Sequence, residues 1–137
     1  MKKILLVAHG NFALAAKESI EMIMGTQNQV IAVSFHMNEG LLTITEKLQH
    51  EIDVEAETEW LVITDLFGGT PFNAGSSIAM TNPQKTVRVL SGLSLPMLLE
   101  IVLCLEEKSL DELVSNAIVT ANYFVKEFVR QEEEESI

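Results

Sequence analysis

The stretch that decides the fold is Trp60-Leu61-Val62-Ile63-Thr64-Asp65-Leu66-Phe67-Gly68-Gly69-Thr70-Pro71-Phe72-Asn73. Its first five residues are almost continuously apolar, which is typical of a strand buried on both faces of a parallel sheet. A Gly-Gly turn follows, and Thr70 and Pro71 then stand where a helix begins. Threonine is a good cap, and proline is tolerated in the first helical turn because its missing N–H costs nothing there. The stretch therefore predicts a strand, a loop and a helix in succession.

The same alternation extends over the rest of the chain. Apolar runs predict strands at residues 3–8, 30–35, 60–64 and 86–90. Helical patterns predict helices at about residues 12–24, capped by Asn11 and stopped by Gly25, and at about 40–51, 70–80 and 96–106. A capping box from Ser109 to Glu112 opens a fifth helix. This order predicts an α/β fold with a doubly wound, mainly parallel sheet and helices on both faces.

The fifth helix has one apolar stripe, whose members are spaced by four and three residues. The stripe consists of Leu110, Val114, Ala117, Ala121, Phe124 and Phe128. It could pack on the sheet of its own domain or across a dimer interface, and the sequence leaves both open. The length of 137 residues fits one domain, which we place at residues 1–130, followed by an acidic tail at 131–137.

Charge and cysteine content exclude several classes of function. A net charge of −11 argues against binding to nucleic acid or to anionic membrane surfaces. The single cysteine, Cys104, cannot form an internal disulfide, which favours a reducing cytoplasm. The apolar run after Lys2 and Lys3 is too short for a signal peptide, and no run approaches the roughly 20 apolar residues of a membrane helix. We therefore expect a cytoplasmic domain.

The residues that follow the strands carry the chemistry, because ligands of parallel α/β sheets bind at the carboxyl ends of the strands. His9 follows the first strand and Asp65 follows the third. Asp65 can accept a hydrogen bond from one ring nitrogen of His9, which leaves the lone pair of the other free to attack. Gly68, Gly69 and Thr70 open a helix whose N–H groups and dipole suit a phosphate. These residues are candidates for phosphoryl transfer.

Other interpretations of the same residues compete with this one. No dinucleotide or P-loop fingerprint is present, so we expect no nucleotide cofactor. A metal site built from His9, His36 and His50 is disfavoured because His50 falls within the predicted second helix. His36 is interpreted either as a residue at the rim of the site or as an exposed loop histidine. A small-molecule-binding, flavodoxin-like domain remains an alternative from residue chemistry alone.

Three segments resemble a known family, the mannose-type (mannose/fructose/sorbose) enzyme IIA domain of the bacterial phosphoenolpyruvate-dependent sugar phosphotransferase system. They are Ala8-His9-Gly10, the run from Asp65 to Asn73, and Ser91-Gly92-Leu93-Ser94-Leu95-Pro96-Met97-Leu98. The resemblance covers residues 2–130. Ser94 departs from the asparagine usual in the family, which leaves any role of that position open.

The resemblance implies a function and partners. His9 corresponds to the phosphorylated histidine, Asp65 to the aspartate that orients it, and Gly68, Gly69 and Thr70 to the turn around the phosphoryl group. Such domains accept the phosphoryl group from HPr and donate it to enzyme IIB, and they associate only indirectly with the membrane subunits IIC and IID. They are usually homodimers with an exchanged edge strand, for which the predicted strands offer no candidate.

Two further functions remain open at this point. One is a regulatory module that becomes phosphorylated without relaying the group. The other is a phosphoryl donor for a soluble kinase, as in the related dihydroxyacetone system. The sequence does not identify the sugar.

Overall fold

A computed structural model describes residues 1–132 of the chain. Its elements alternate along the sequence as expected. The strands are β1 (Lys2–Val7), β2 (Val30–Val33), β3 (Glu59–Thr64) and β4 (Val87–Leu90), and the helices are α1 (Phe12–Met24), α2 (Leu41–Asp53), α3 (Thr70–Thr81), α4 (Leu95–Cys104) and α5 (Leu110–Tyr123). Each differs from its predicted range by only a few residues. The predicted acidic tail lies mostly outside the described residues.

The four strands form one sheet in the order β2-β1-β3-β4, and every pairing is parallel. The predicted doubly wound α/β fold is therefore confirmed. The strand β2 lies on one side of β1, and the chain then crosses over so that β3 lies on the other side of β1. The switch in strand order thus lies between β1 and β3, and ligands of such sheets bind beside this switch point.

Helices cover both faces of the sheet because the central strands β1 and β3 carry apolar residues on both sides. On one face, the buried residues of α1, α4 and α5 pack on Ile4, Leu6, Leu61 and Ile63. On the other face, α2 and α3 pack on strand residues that alternate with these, among them Leu5 and Val62. A domain with two such layers needs no disulfide to be stable, and Cys104 is unpaired.

The second strand is shorter than predicted. Pairing with β1 ends at Val33, and the chain then turns away from the parallel ladder. Phe35 instead forms an isolated antiparallel bridge with Gly10. Gly10 has a φ of +60°, a conformation that glycine adopts without strain, so the chain can reverse there to meet Phe35.

Two helix caps differ from the sequence-based expectation. Thr70 is already the first residue of α3, and the N-cap is Gly69, so the threonine hydroxyl is not the cap. Asn11 is the N-cap of α1, but its side chain makes no capping hydrogen bond. The predicted capping box of Ser109 and Glu112 is present with both of its reciprocal bonds.

The apolar stripe of the fifth helix packs on its own sheet over its first half. Leu110, Ala117 and also Leu113 are buried in the core on the α1 face. The helix ends at Tyr123, and Phe124 and Phe128 are 58% and 88% exposed. Within residues 1–132, no helix combines the length and the apolar character that a membrane crossing requires.

Candidate functional site

The switch point brings His9 and Asp65 together. Val7 and Thr64 form the last residue pair between β1 and β3, so Asp65 comes one position and His9 two positions after the paired ends. The Nδ1 atom of His9 lies 2.7 Å from Oδ2 of Asp65. The imidazole is 48% exposed, whereas the Asp65 side chain is only 13% exposed. The predicted contact is therefore present, with a buried carboxylate under an accessible ring.

Asp65 is surrounded by N–H donors. Its Oδ2 atom accepts the backbone N–H of His9 at 3.0 Å as well as the ring nitrogen. Its Oδ1 atom accepts the backbone N–H of Leu66 at 2.9 Å. Burial acts to raise the pKa of Asp65, but these donors outweigh burial, and the pKa lies below its ordinary value. Asp65 is therefore ionised at neutral pH.

The ionised carboxylate determines the tautomer of His9. A carboxylate can only accept, so a neutral imidazole places its proton on Nδ1, facing Asp65. The lone pair is then on Nε2, on a ring that is half exposed. The geometry thus provides a nucleophilic nitrogen on this ring and a carboxylate that can stabilise positive charge on it.

The Gly-Gly turn brings the start of α3 against the ring. Gly68 has a φ of +80°, and its carbonyl accepts a hydrogen bond from the side chain of Asn73 at 3.2 Å. A Cβ atom at Gly69 would lie 3.4 Å from Cε1 of His9, so the Gly69 backbone lies close beside the imidazole. The N-terminus of α3 is therefore adjacent to the candidate nucleophile.

The first turn of α3 offers backbone donors at this place. The first four N–H groups of a helix have no intrahelical partner. The N–H of Gly69 is used by the carbonyl of Leu66 at 3.0 Å, and Pro71 has none. The N–H groups of Thr70 and Phe72 remain as donors for an anion, aided by the positive end of the helix dipole.

Phe35 is a neighbour of His9 that sequence reasoning missed. Its ring centroid lies 5.4 Å from that of the imidazole, and the two planes are inclined at 60°. The backbones of Phe35 and Gly10 exchange two hydrogen bonds, of 2.8 and 3.2 Å. The sequence marks Phe35 only as the end of a strand, and nothing in its local pattern indicates a contact with His9.

The other candidates from the sequence lie apart from this pair. His36 is exposed, and its Nε2 atom lies 2.9 Å from the hydroxyl of Ser34. His50 is in α2, as predicted. Ser94 caps α4 by accepting the N–H of Met97 at 3.4 Å, which gives this position a structural role. Within the described part of the chain, no three His, Cys, Asp or Glu side chains are grouped to hold a metal ion.

Two aromatic side chains follow Asp65, Phe67 in the loop and Phe72 in the first turn of α3. The rings of Phe67 and Phe72 are 4.8 Å apart. Phe67 is 81% exposed, while Phe72 is only partly exposed. Phe72 therefore supports the loop from α3, and Phe67 presents an apolar surface beside the site.

Comparison with protein families identifies close relatives of this architecture. A family model described as the fructose IIA component of the phosphotransferase system (EIIA-man) matches residues 3–118. The fructose-specific EIIA component of Bacillus subtilis is 38% identical over 117 residues, which are 85% of this chain and 79% of the relative. The match to the family model spans all of the site residues described above.

Solved structures agree with the sequence comparison. The phosphotransferase system component EIIA from Streptococcus agalactiae is 38% identical, with a TM-score of 0.86 over 93% of this chain and 97% of that one. The mannose/sorbose-specific IIA subunit from Enterococcus faecalis is 30% identical, with a TM-score of 0.87 over 97% and 99%. These similarities cover nearly the whole of both chains.

Proposed function

The chain belongs to the mannose family of EIIA components of the sugar phosphotransferase system, and we propose that it is a cytoplasmic phosphocarrier with His9 as its phosphoryl acceptor. Components of this family take part in phosphoryl transfer for sugar uptake. In our proposal the donor is phospho-HPr and the acceptor is a cognate enzyme IIB. The observation that carries the proposal is the 2.7 Å contact between His9 Nδ1 and Asp65, which places the ring proton on Nδ1 and leaves the lone pair on Nε2.

The proposed step is an in-line transfer to Nε2. The lone pair of Nε2 attacks the phosphorus of the donor phosphohistidine, while the bond from that phosphorus to the donor nitrogen breaks. The electron pair of the broken bond returns to the donor imidazole. Positive charge then develops on the His9 ring, and the Asp65 carboxylate stabilises it through the Nδ1–H bond. Transfer to enzyme IIB reverses these roles.

The turn before α3 is proposed to hold the transferred group. A phosphoryl group on Nε2 carries its charge on three oxygens, and its transfer depends mainly on positioning and on charge stabilisation. Gly68 and Gly69 allow the backbone to approach the ring closely. The N–H groups of Thr70 and Phe72 and the hydroxyl of Thr70 are the donors that we assign to these oxygens. No metal ion or cofactor is part of the proposal.

The proposed partners follow from the family. HPr and enzyme IIB would approach the exposed edge of His9, and the membrane subunits IIC and IID would be reached only through enzyme IIB. Phe67 is a largely exposed apolar side chain in the loop that follows Asp65, and we propose that it contributes to this docking surface. The choice of sugar is made by the membrane subunits and is not a property of the site described here.

A homodimer is the proposed assembly. Val125, Phe128 and Val129 lie beyond α5 and are 82%, 88% and 69% exposed, which is unusual for apolar side chains in succession. The strand β4 lies at an edge of the sheet and borders a groove of about 510 Å³ between α4 and α5. Edge strands readily pair with a further chain. We therefore propose residues 124–132 as the segment exchanged between two copies, with Phe128→Glu expected to give monomers in light scattering.

Intact-protein mass spectrometry tests the carrier function. The protein is incubated with phosphoenolpyruvate, enzyme I and HPr at neutral to alkaline pH, because phosphohistidine is labile in acid. We expect the mass of one phosphoryl group to be gained, lost again on acidification, and absent in His9→Ala. His36→Ala is the matched control, since His36 also follows a strand and is exposed. Phosphorylation of His9→Ala, or loss of phosphorylation only in His36→Ala, would contradict the assignment.

Onward transfer separates a carrier from a regulatory module. The phosphorylated protein is freed of HPr and mixed with enzyme IIB, and the phosphoryl group is followed on both proteins. If the protein is a carrier, its phosphoryl group passes to enzyme IIB after mixing. A protein that is phosphorylated but keeps the group in the presence of enzyme IIB is a sensor instead.

A further inference from the structure

A second cluster of polar side chains lies at the carboxyl end of β2, beside the His9 site. Glu39 and Lys47 form an ion pair, with 2.6 Å between Oε2 and Nζ. The Glu39 side chain is 14% exposed and that of Lys47 is 34% exposed, so the pair is partly shielded from water. The proposed phosphoryl chemistry uses neither residue.

The ion pair fastens the loop between β2 and α2. Oε1 of Glu39 accepts the backbone N–H of His36 at 2.8 Å, and the N–H of Glu39 donates to the carbonyl of His36 at 3.0 Å. Lys47 also donates to the carbonyl of Ser34 at 3.2 Å. The N–H of His36, and then Lys47, lower the pKa of Glu39, so the carboxylate is charged at neutral pH. Three hydrogen bonds thus hold Ser34 and His36, the residues on either side of Phe35, and the ion pair joins the two side chains that take part in them.

Phe35 transmits this restraint to the site. It is bonded to Gly10 through two backbone hydrogen bonds, and its ring packs against the imidazole of His9. Asp65 binds the imidazole ring of His9 at Nδ1 only, and a ring held by one hydrogen bond can still tilt about that bond. Contact with a second ring restricts this tilt, which fixes the direction of the Nε2 lone pair. A misplacement of about 1 Å at a reacting group can cost roughly a hundredfold in rate.

We propose that the Glu39–Lys47 ion pair is a positioning device for His9, acting through Phe35. The inference rests on His9 being the phosphoryl acceptor, as proposed above. The pair does not touch the phosphoryl group. It keeps the β2–α2 loop in the one position in which the Phe35 ring limits the motion of the imidazole.

Two variants remove the ion pair with little change in shape, Lys47→Met and Glu39→Gln. We expect the phosphorylation rate at saturating phospho-HPr to fall roughly tenfold in Lys47→Met, with an unchanged KM for phospho-HPr. Glu39→Gln keeps an oxygen for the N–H of His36, so its loss is expected to be smaller. Lys47→Arg keeps the positive charge and is expected to retain most of the wild-type phosphorylation rate.

The matched control is the ion pair of Asp53 and Lys85. It joins the end of α2 to the loop before β4, with 3.1 Å between Oδ1 and Nζ. Lys85→Met therefore removes a similar interaction from the same helix at a distance from His9. We expect it to leave the phosphorylation rate within about twofold of wild type, while any loss of thermal stability resembles that of Lys47→Met.

A second readout reports on His9 without phosphorylation. Nitrogen-15 NMR of the imidazole at neutral pH gives the shifts and line widths of both ring nitrogens. In Lys47→Met we expect the Nδ1–H signal to broaden or move toward the value of a freely exchanging histidine, and in Lys85→Met to stay unchanged. Phe35→Leu should produce the same change, and Phe35→Leu combined with Lys47→Met should slow transfer no further, because both act through one ring.

The outcomes separate this inference from the proposed function. If wild-type protein takes no phosphoryl group while HPr is active, the proposed function fails. If wild type is phosphorylated and Lys47→Met is equally fast with an unaltered His9 spectrum, only the positioning device is refuted. A rise in KM with an unchanged maximal rate would also refute it, since the loop would then serve to dock the partner. Additive losses in Phe35→Leu and Lys47→Met would refute the route through Phe35.

Discussion

The substitution Asp65→Asn tests the proposed mechanism most directly, because it keeps the shape of the side chain and removes its charge. Asp65 accepts three N–H bonds, two on Oδ2 and one on Oδ1. An amide has only one accepting oxygen and turns the other position into a donor. If the amide NH₂ takes the position of Oδ2, it faces the backbone N–H of His9, and if it takes the position of Oδ1, it faces the backbone N–H of Leu66. One bond to a largely buried group is therefore lost whichever way the amide lies.

The magnitude follows from these bonds. A hydrogen bond to a charged group contributes about 1.5–3 kcal/mol, which is a factor of roughly 10–150 in rate if it acts in the transition state. If the amide places its NH₂ toward Nδ1, the ring proton must move to Nε2, and the nucleophilic lone pair is lost. The same exchange of Asp for Asn in the Ser-His-Asp triad lowers kcat by about 10⁴-fold. We expect Asp65→Asn to slow phosphorylation by at least roughly tenfold and at most about 10⁴-fold.

The assay is a single-turnover reaction with purified phospho-HPr, quenched with alkali and read by intact mass. Circular dichroism and urea unfolding of the same samples establish that the variant is folded. Nitrogen-15 shifts of His9 report which ring nitrogen carries the proton. A rate within about threefold of wild type in a folded variant would remove Asp65 from the mechanism. If Asp65→Asn is slow while the ring proton of His9 stays on Nδ1, the loss of rate does not come from a change of tautomer. The charge of Asp65 would then be its only contribution to the rate.

Three further predictions concern stability. Leu48→Ala should lower the free energy of unfolding in urea by about 2–5 kcal/mol because Leu48 is fully buried in α2, whereas Leu42→Ala on the same helix, with Leu42 78% exposed, should stay within about 0.5 kcal/mol of wild type. Ser109→Ala should cost about 0.5–2 kcal/mol in the same assay through loss of the capping box, and Asn11→Ala should cost less than about 0.5 kcal/mol, because Asn11 makes no side-chain cap. The pKa of Asp65 is lowered in the folded state, so the stability from its bonds is present above the unfolded pKa of about 3.9 and lost as pH falls through the folded value. The difference in unfolding free energy between wild type and Asp65→Ala should therefore be constant at neutral pH and shrink below about pH 4. A difference that grows below that pH would contradict the lowered pKa of Asp65.

The fold follows from local patterns in the sequence, because the central strands β1 and β3 are largely apolar runs with residues buried on both faces, and helical patterns separate the strands. One predicted cap was wrong and one was correct in position only. The backbone of Thr70 is already helical, so Thr70 is not the cap of α3, whereas Asn11 is the N-cap of α1 as predicted but makes no side-chain capping bond. Capping preferences describe residue types, whereas the backbone of the turn before a helix determines which residue is the N-cap. In α3 the Gly-Gly turn moves the cap to Gly69.

The candidate site was predictable only in part, for a similar reason. His9 and Asp65 each follow a strand, and parallel strands bring their carboxyl ends to one edge, so their meeting could be expected. Phe35 was missed because its contact with His9 depends on the chain leaving the β2 ladder early and reversing at Gly10. The ion pair of Glu39 and Lys47 was missed because Glu39 lies in the loop before α2 and Lys47 lies within α2, eight positions later. Their contact depends on the course of that loop, which no local sequence pattern indicates.

The register of the sheet explains why a site formed by separate loops can hold one imidazole in a fixed position. Val7 and Thr64 are paired at the ends of β1 and β3. Only Ala8 separates Val7 from His9, Ala8 is fully buried, and Asp65 follows Thr64 directly. The chain therefore has almost no freedom between the last pair of the sheet and the two interacting side chains. The sheet fixes the position of His9 relative to Asp65. The β2–α2 loop is longer and has more freedom, and in our proposal the Glu39–Lys47 pair restrains the contact of the imidazole with Phe35.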